Sequence, residues 1–253
     1  MGSLGGMRTL PHLVRSAVAL AAAGLLLVGC AAGGDDSAPT STDDDAATSG
    51  PSTAPDDDQD LDAAWLDGGR MFAIVSWGSS TCIPAVDTIS ADGQTVSLSL
   101  VDVGEADTAC TADFAPRASV AALPDGVDPT QDVEFRVTIG DDTDDVDLDG
   151  ADGLGSSEEF AASAGWFDDD GIVLLTWGSS TCAPVVQDVA VATGGATVTF
   201  AEQDGVCTMD MAPRATIIGV PDDDDDDADD DDAPYTLTLV GGGLDGTVEV
   251  IGD

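Results

Sequence analysis

The hexapeptide Trp-Gly-Ser-Ser-Thr-Cys occupies residues 77–82 and recurs at residues 177–182. Ser79, Ser80, Ser179 and Ser180 carry the hydroxyl of an acyl-transfer nucleophile, and Cys82 and Cys182 carry the corresponding thiol. Such groups are weak nucleophiles until a neighbouring base takes the proton, ordinarily a histidine or a lysine. The chain has one histidine, His12, and no lysine. The Gly-x-Ser-x-Gly elbow also needs a glycine after the serine, and none follows here. Acid–base work by a carboxylate pair remains, but 50 acidic residues place many carboxylates together by chance.

The cysteines suit a different chemistry. Besides Cys30 there are four, Cys82, Cys110, Cys182 and Cys207. They lack the Cys-x-x-Cys spacing and the histidines of a zinc site. Four cysteines permit three pairings. The duplicated hexapeptide favours Cys82–Cys110 and Cys182–Cys207, because a duplicated fold carries duplicated internal bridges.

The compartment follows from the N-terminus. Arg8 and Arg15 precede an apolar run, Ser16–Val28, that ends in Gly29-Cys30. A basic start, a short apolar stretch and small residues at its end make an export signal, too short for an ordinary membrane span. Leu27-Val28-Gly29-Cys30 resembles the lipobox of bacterial lipoproteins. That resemblance implies cleavage before Cys30, a diacylglyceryl group on its thiol, and a protein held on the outer face of the cell membrane. Cleavage there removes His12 as well. The lysine-free, Ala- and Asp-rich composition suits an actinobacterial-type source. Export makes disulfides chemically expected.

Behind Cys30, residues 30–60 are rich in Gly, Ser, Thr, Pro and Asp and cannot build a core. We read them as a solvated acidic stalk. The remainder of the chain is a tandem repeat. Trp65 opens WLDGGRMFAIVSWGSSTCIP, which WFDDDGIVLLTWGSSTCAP answers from Trp166. CTADFAPRASV at Cys110–Val120 is answered by CTMDMAPRATI at Cys207–Ile217. VEFRVTI at Val133–Ile139 is answered by YTLTLV at Tyr235–Val240. The resulting plan is a signal at 1–29, the stalk at 30–60, a first module at 61–150, a linker at 151–160 and a second module at 161–253.

Periodicity within each module is two, with β-branched residues at the apolar positions, as in TVSLSLVDV at Thr95–Val103. Asp92-Gly93 and Gly194-Gly195 lie where hairpin turns would fall. The pattern predicts an all-β protein of two small sandwiches, about six strands each. Pairing should be antiparallel, since no helical crossovers are present. An open barrel is the alternative. The WGSSTC and C-T-x-D-x-A-P-R elements together resemble a repeated module of exported lipoproteins, a resemblance that implies no activity.

Several side chains remain as ligand candidates. Trp65 and Trp166 could stack on a ligand. Arg117 and Arg214, at matching places in the two A-P-R triplets, are expected to pair with Asp113 and Asp210, or to hold an anion. Asp145, Asp147 and Asp149 have the spacing of positions 1, 3 and 5 of a calcium loop, but Ser156 stands where its bidentate glutamate belongs. Val146–Gly150 moreover aligns with Val248–Gly252, which favours a strand. Asp222, Asp223 and Asp224 open an acidic block that offers only weak calcium binding. No other cofactor is expected.

A formal net charge of −44 excludes nucleic acid as a partner. The first functional expectation is a lipid-anchored surface protein with a non-catalytic binding or structural role. Its partner would be the membrane through its lipid, with a cell-envelope polymer or another exported protein. The second is an acidic protein that binds divalent cations, and the last is a carboxylate-dependent hydrolase.

Overall fold

The computed structural model describes residues 61–103, 109–152, 154–155, 158–203, 205–221 and 234–252. The export signal, Cys30, the stalk and Asp222–Asp224 lie outside the described residues. Among the described residues all regular structure is β apart from one 3-10 turn.

The first copy contains β1 (Asp62–Leu66), the turn Asp67–Gly69, β2 (Met71–Gly78), β3 (Pro84–Asp92), β4 (Thr95–Asp102), β5 (Ala115–Ala122), β6 (Val133–Ile139) and β7 (Asp142–Leu148). The second contains β8 (Ser163–Asp168), β9 (Gly171–Gly178), β10 (Val186–Ala192), β11 (Gly195–Phe200), β12 (Ala212–Gly219), β13 (Thr236–Val240) and β14 (Gly246–Ile251). Each copy is a two-layer sandwich with seven strands rather than about six. In copy 1 the layers are β1-β2-β5 and β3-β4-β6-β7. Copy 2 repeats that order, but β14 also pairs with β8, so its two layers join into one seven-stranded sheet.

Alternation sets the inner faces. Val96, Leu98 and Leu100 of β4 meet Val133, Phe135 and Val137 of β6 and Phe72 and Ile74 of β2. In copy 2, Val198 and Phe200 meet Leu237, Leu239, Ile172 and Leu174. Gly93 and Gly194 have φ of 65° and 71° in the β3–β4 and β10–β11 turns, a conformation in which a side chain would clash with its own backbone.

Not all pairing is antiparallel. β4 runs parallel to β6, and β11 parallel to β13. The chain leaves β4 for β5 in the opposite layer and returns as β6, so a strand of the facing sheet makes the crossover that a helix makes elsewhere.

The two modules are not separate bodies; the described residues belong to one compact unit. β2 and β9 are buried on both faces. Their second faces, Ala73 and Val75 on one side and Val173 and Leu175 on the other, pack together with Ala64, Leu66 and Ala118. At the centre β1 crosses β8 so closely that a Cβ on Gly165 would overlap the Trp65 carbonyl oxygen. The Asp67 amide donates to Ser163 Oγ across the same junction at 2.8 Å. The segment between the copies is not a free linker either, since Ala151 is buried and Leu154 packs on the core of copy 1.

Candidate functional site

The duplicated hexapeptide turns the chain at the end of β2 and of β9. Cys82 N–H donates to Ser79 O, and Cys182 N–H to Ser179 O, both at 3.2 Å. Disulfides join Cys82 to Cys110 and Cys182 to Cys207, with Cα atoms 5.6 Å apart in each.

Arg117 and Arg214 serve this turn and not the neighbouring acids. Arg117 Nη1 donates to Cys82 O at 2.7 Å and Nη2 to Trp77 O at 3.2 Å. Arg214 repeats the pattern on Cys182 O at 2.8 Å and Trp177 O at 3.0 Å. Backbone carbonyls thus replace the expected carboxylates Asp113 and Asp210. The guanidinium lies over the glycine of each Trp-Gly pair. A Cβ on Gly78 would come within 2.6 Å of Arg117 Cζ, and one on Gly178 within 2.8 Å of Arg214 Cζ. This close approach explains why Trp-Gly accompanies Ala-Pro-Arg in both copies. Burial lowers the pKa of Arg214, although it stays cationic.

Asp113 accepts from the Ser80 amide at 3.3 Å and from the Thr111 hydroxyl. Ser79, Thr81 and Thr111 hydroxyls close a triangle with edges of 2.9–3.2 Å. Asp210 does the same with Ser180 and Thr208. Hydrogen bonds from Ser80 and then Thr111 hold Asp113 at about 2, and those from Thr208 and then Ser180 hold Asp210 at about 2, against 3.8 for an ordinary aspartate. The Ser–Thr–Asp hydrogen bonds fix the turn.

These pKa values give a pH signature. A depressed carboxylate pKa contributes stability that is complete above the unfolded value and vanishes as pH falls through the folded one. The melting-temperature difference between the wild type and an Asp113→Asn/Asp210→Asn variant is therefore expected to be constant above about pH 4 and to disappear toward pH 2. A difference unchanged down to pH 2 would show that these aspartates do not hold the turns through their charge.

The tryptophan candidates separate. Trp65 is 2% exposed and packs edge-on against Phe135, and its Nε1 donates to Asp149 O at 2.7 Å. It is a core residue of copy 1 that also borders the groove described next. Trp166 is half-buried, edge-on to Tyr235 with ring centroids 5.0 Å apart. A β-bulge between Trp166 and Asp168 re-aims the strand at this point. Trp166 lines a groove of about 1250 Å3 where the end of β7, the start of β1, β8 and β14 converge. Asp147, Asp149, Asp152, Asp168, Asp169 and Glu249 line it as well. Among the described residues no arginine lines it. Of the four arginines after residue 60, Arg117 and Arg214 are engaged under the turns and Arg70 on Asp67, while Arg136 lies between Glu134 and the groove-lining Asp145. The groove is therefore a negative channel with an aromatic residue in its wall.

The calcium reading does not take shape in this region. Asp145 and Asp147 sit on β7, where alternate side chains are about 7 Å apart instead of wrapping a common point. Asp145 is bound by Arg136 Nε at 3.0 Å. Among the described residues no three of His, Cys, Asp and Glu converge as a metal-binding group.

The sequence reading missed the groove because its walls come from four separate strands. One signal was available: FAIV in β2 and IVLL in β9 are unbroken apolar runs, which mark strands buried on both faces and hence two copies sharing a core. No protein-family model, curated protein or solved structure matches the chain.

Proposed function

We propose that this is an exported, lipid-anchored binding protein without catalytic activity, whose ligand site is the acidic groove between its two copies. The observation that carries the reading is Trp166 in the wall of a groove whose carboxylates far outnumber the one arginine, Arg136, that pairs with Asp145 at its margin. Low-dielectric walls of one charge sign concentrate counter-ions, and an indole attracts a cation placed over it. The class of ligand is thus an organic cation. Gathered carboxylates with an aromatic wall favour this over diffuse binding of divalent ions. The paired disulfides suit an oxidising, extracellular setting.

The anchor is tested by growth with labelled fatty acid, which should label the wild type and leave Cys30→Ala unlabelled. The site is tested by calorimetric titration of the full chain with spermine, a flexible tetracation. Asp147→Asn/Glu249→Gln and Trp166→Ala are each expected to weaken binding, by about tenfold for the tryptophan. Asp87→Asn/Asp92→Asn, on the distant strand β3, should leave it unchanged. Equal weakening by both carboxylate pairs would mean that the cation is held by overall charge and not by the groove.

A further inference from the structure

We propose that the groove-lining edge of β7 is a strand-addition site for an extended, lysine- or arginine-bearing segment of a partner protein. This rests on the groove reading and names the partner for that site.

The two copies supply the comparison. β7 and β14 are counterparts, each the last strand of its four-stranded layer. In copy 2 the outer edge of β14 is occupied: β8 pairs with it in parallel, Val250 opposite Ala164 and Ile251 opposite Gly165. In copy 1 the counterpart of β8 is β1, which stays in its own layer beside β2. β7 therefore ends its sheet, and among the described residues no strand pairs with its outer edge. Trp65 Nε1 takes the carbonyl of Asp149, just past the strand. Upstream of it, Asp145–Leu148 lie along the groove. In copy 2 the end of this edge, Val250–Ile251, thus accepts a strand, while in copy 1 Trp65 takes the corresponding end at Asp149 and the edge upstream of it, Asp145–Leu148, faces the groove.

Charge chooses the occupant. An exposed edge strand templates pairing with any extended chain, and charged side chains are a common defence. β7 reads Asp-Thr-Asp-Asp-Val-Asp-Leu, and the opposite walls add Asp168, Asp169 and Glu249. Such an edge repels a second copy of this chain and its own acidic stalk. It attracts a strand with cationic side chains at alternate positions, for which main-chain hydrogen bonds supply affinity and the carboxylates selectivity. About 1250 Å3 exceeds the usual small-molecule site and suits an extended segment.

The test uses the full chain and an eight-residue peptide of alternating Lys and Val, with two N-methylated forms. One form is methylated on every Lys amide and the other on every Val amide. Successive amides of a strand point to opposite sides, so an edge-added strand uses only one set. One methylated form is expected to bind at least about tenfold more weakly than the parent and the other about equally. Amide exchange at residues 145–148 should slow with the parent peptide. Asp147→Lys, at an exposed position, should weaken the parent about tenfold, and an alternating Glu-Val peptide should not bind. Strand addition is overturned, with the groove reading intact, if spermine binds while both methylated peptides match the parent or the parent fails to bind. It is also overturned if exchange at 145–148 stays the same, or if the Glu-Val peptide binds as well as the Lys-Val one. If neither spermine nor the Lys-Val peptide binds, the groove reading itself fails.

Discussion

Replacing Cys82 and Cys110 together by serine is expected to lower stability by roughly 3–4 kcal/mol. The bridge closes a loop of 28 residues in sequence separation, and that constraint on the unfolded chain sets the magnitude. A further loss arises in the folded state. The carbonyl of Cys82 is the acceptor for Arg117 Nη1, so a turn released from its bridge also frees a half-buried guanidinium from its partner. Replacing Cys182 and Cys207 should cost a similar amount, since that bridge closes a separation of 25 and carries the same arginine contact. Thermal melting with and without a thiol reductant reads both effects. A melting temperature indifferent to reductant would remove the bridges from any account of stability.

Gly165→Ala is expected to destabilise the protein by about 3 kcal/mol, although it adds one methyl group. The new Cβ would overlap the Trp65 carbonyl oxygen, which belongs to backbone at the centre of the shared core and cannot swing aside. Relief requires β1 and β8 to separate, which loosens the packing of Leu66 and Val75 on Val173 and Leu175. For a domain of this size the melting temperature should fall by roughly 6–12 °C. Gly219→Ala is the control, because a Cβ there meets no atom within 4 Å. Equal melting of the two variants would mean that the copies do not depend on this close crossing. Gly165→Ala also bears on the groove, because β1 and β8 both wall it.

The arginine turns show why a motif could be found without its meaning being read. Two copies of Trp-Gly and Ala-Pro-Arg, far apart in sequence, identify residues that matter together. They do not say that the glycine lacks a side chain so that a guanidinium can lie across it. They also do not say that the arginine reaches carbonyls and leaves Asp113 and Asp210 to cap the turns. In a chain of 50 acids a carboxylate partner is the natural expectation. The desolvated turn prefers a planar donor that satisfies its carbonyls.

What this sequence determined by itself is whatever local chemistry and repetition encode. Period-two alternation placed the strands, Gly93 and Gly194 the turns, and duplication the cysteine pairs, because each depends on neighbours in the chain or on a copy of itself. Periodicity states which side of a strand is buried, but not against what. Only the tertiary structure decided that β4 meets β6 in parallel, that β14 reaches across to β8, and that Trp65 is buried in a core while Trp166 stays half-buried, both at the border of one groove. Those outcomes rest on packing between segments up to about one hundred residues apart. There the competing arrangements bury similar apolar area and differ in which strand edge, and which carboxylate, is left facing water.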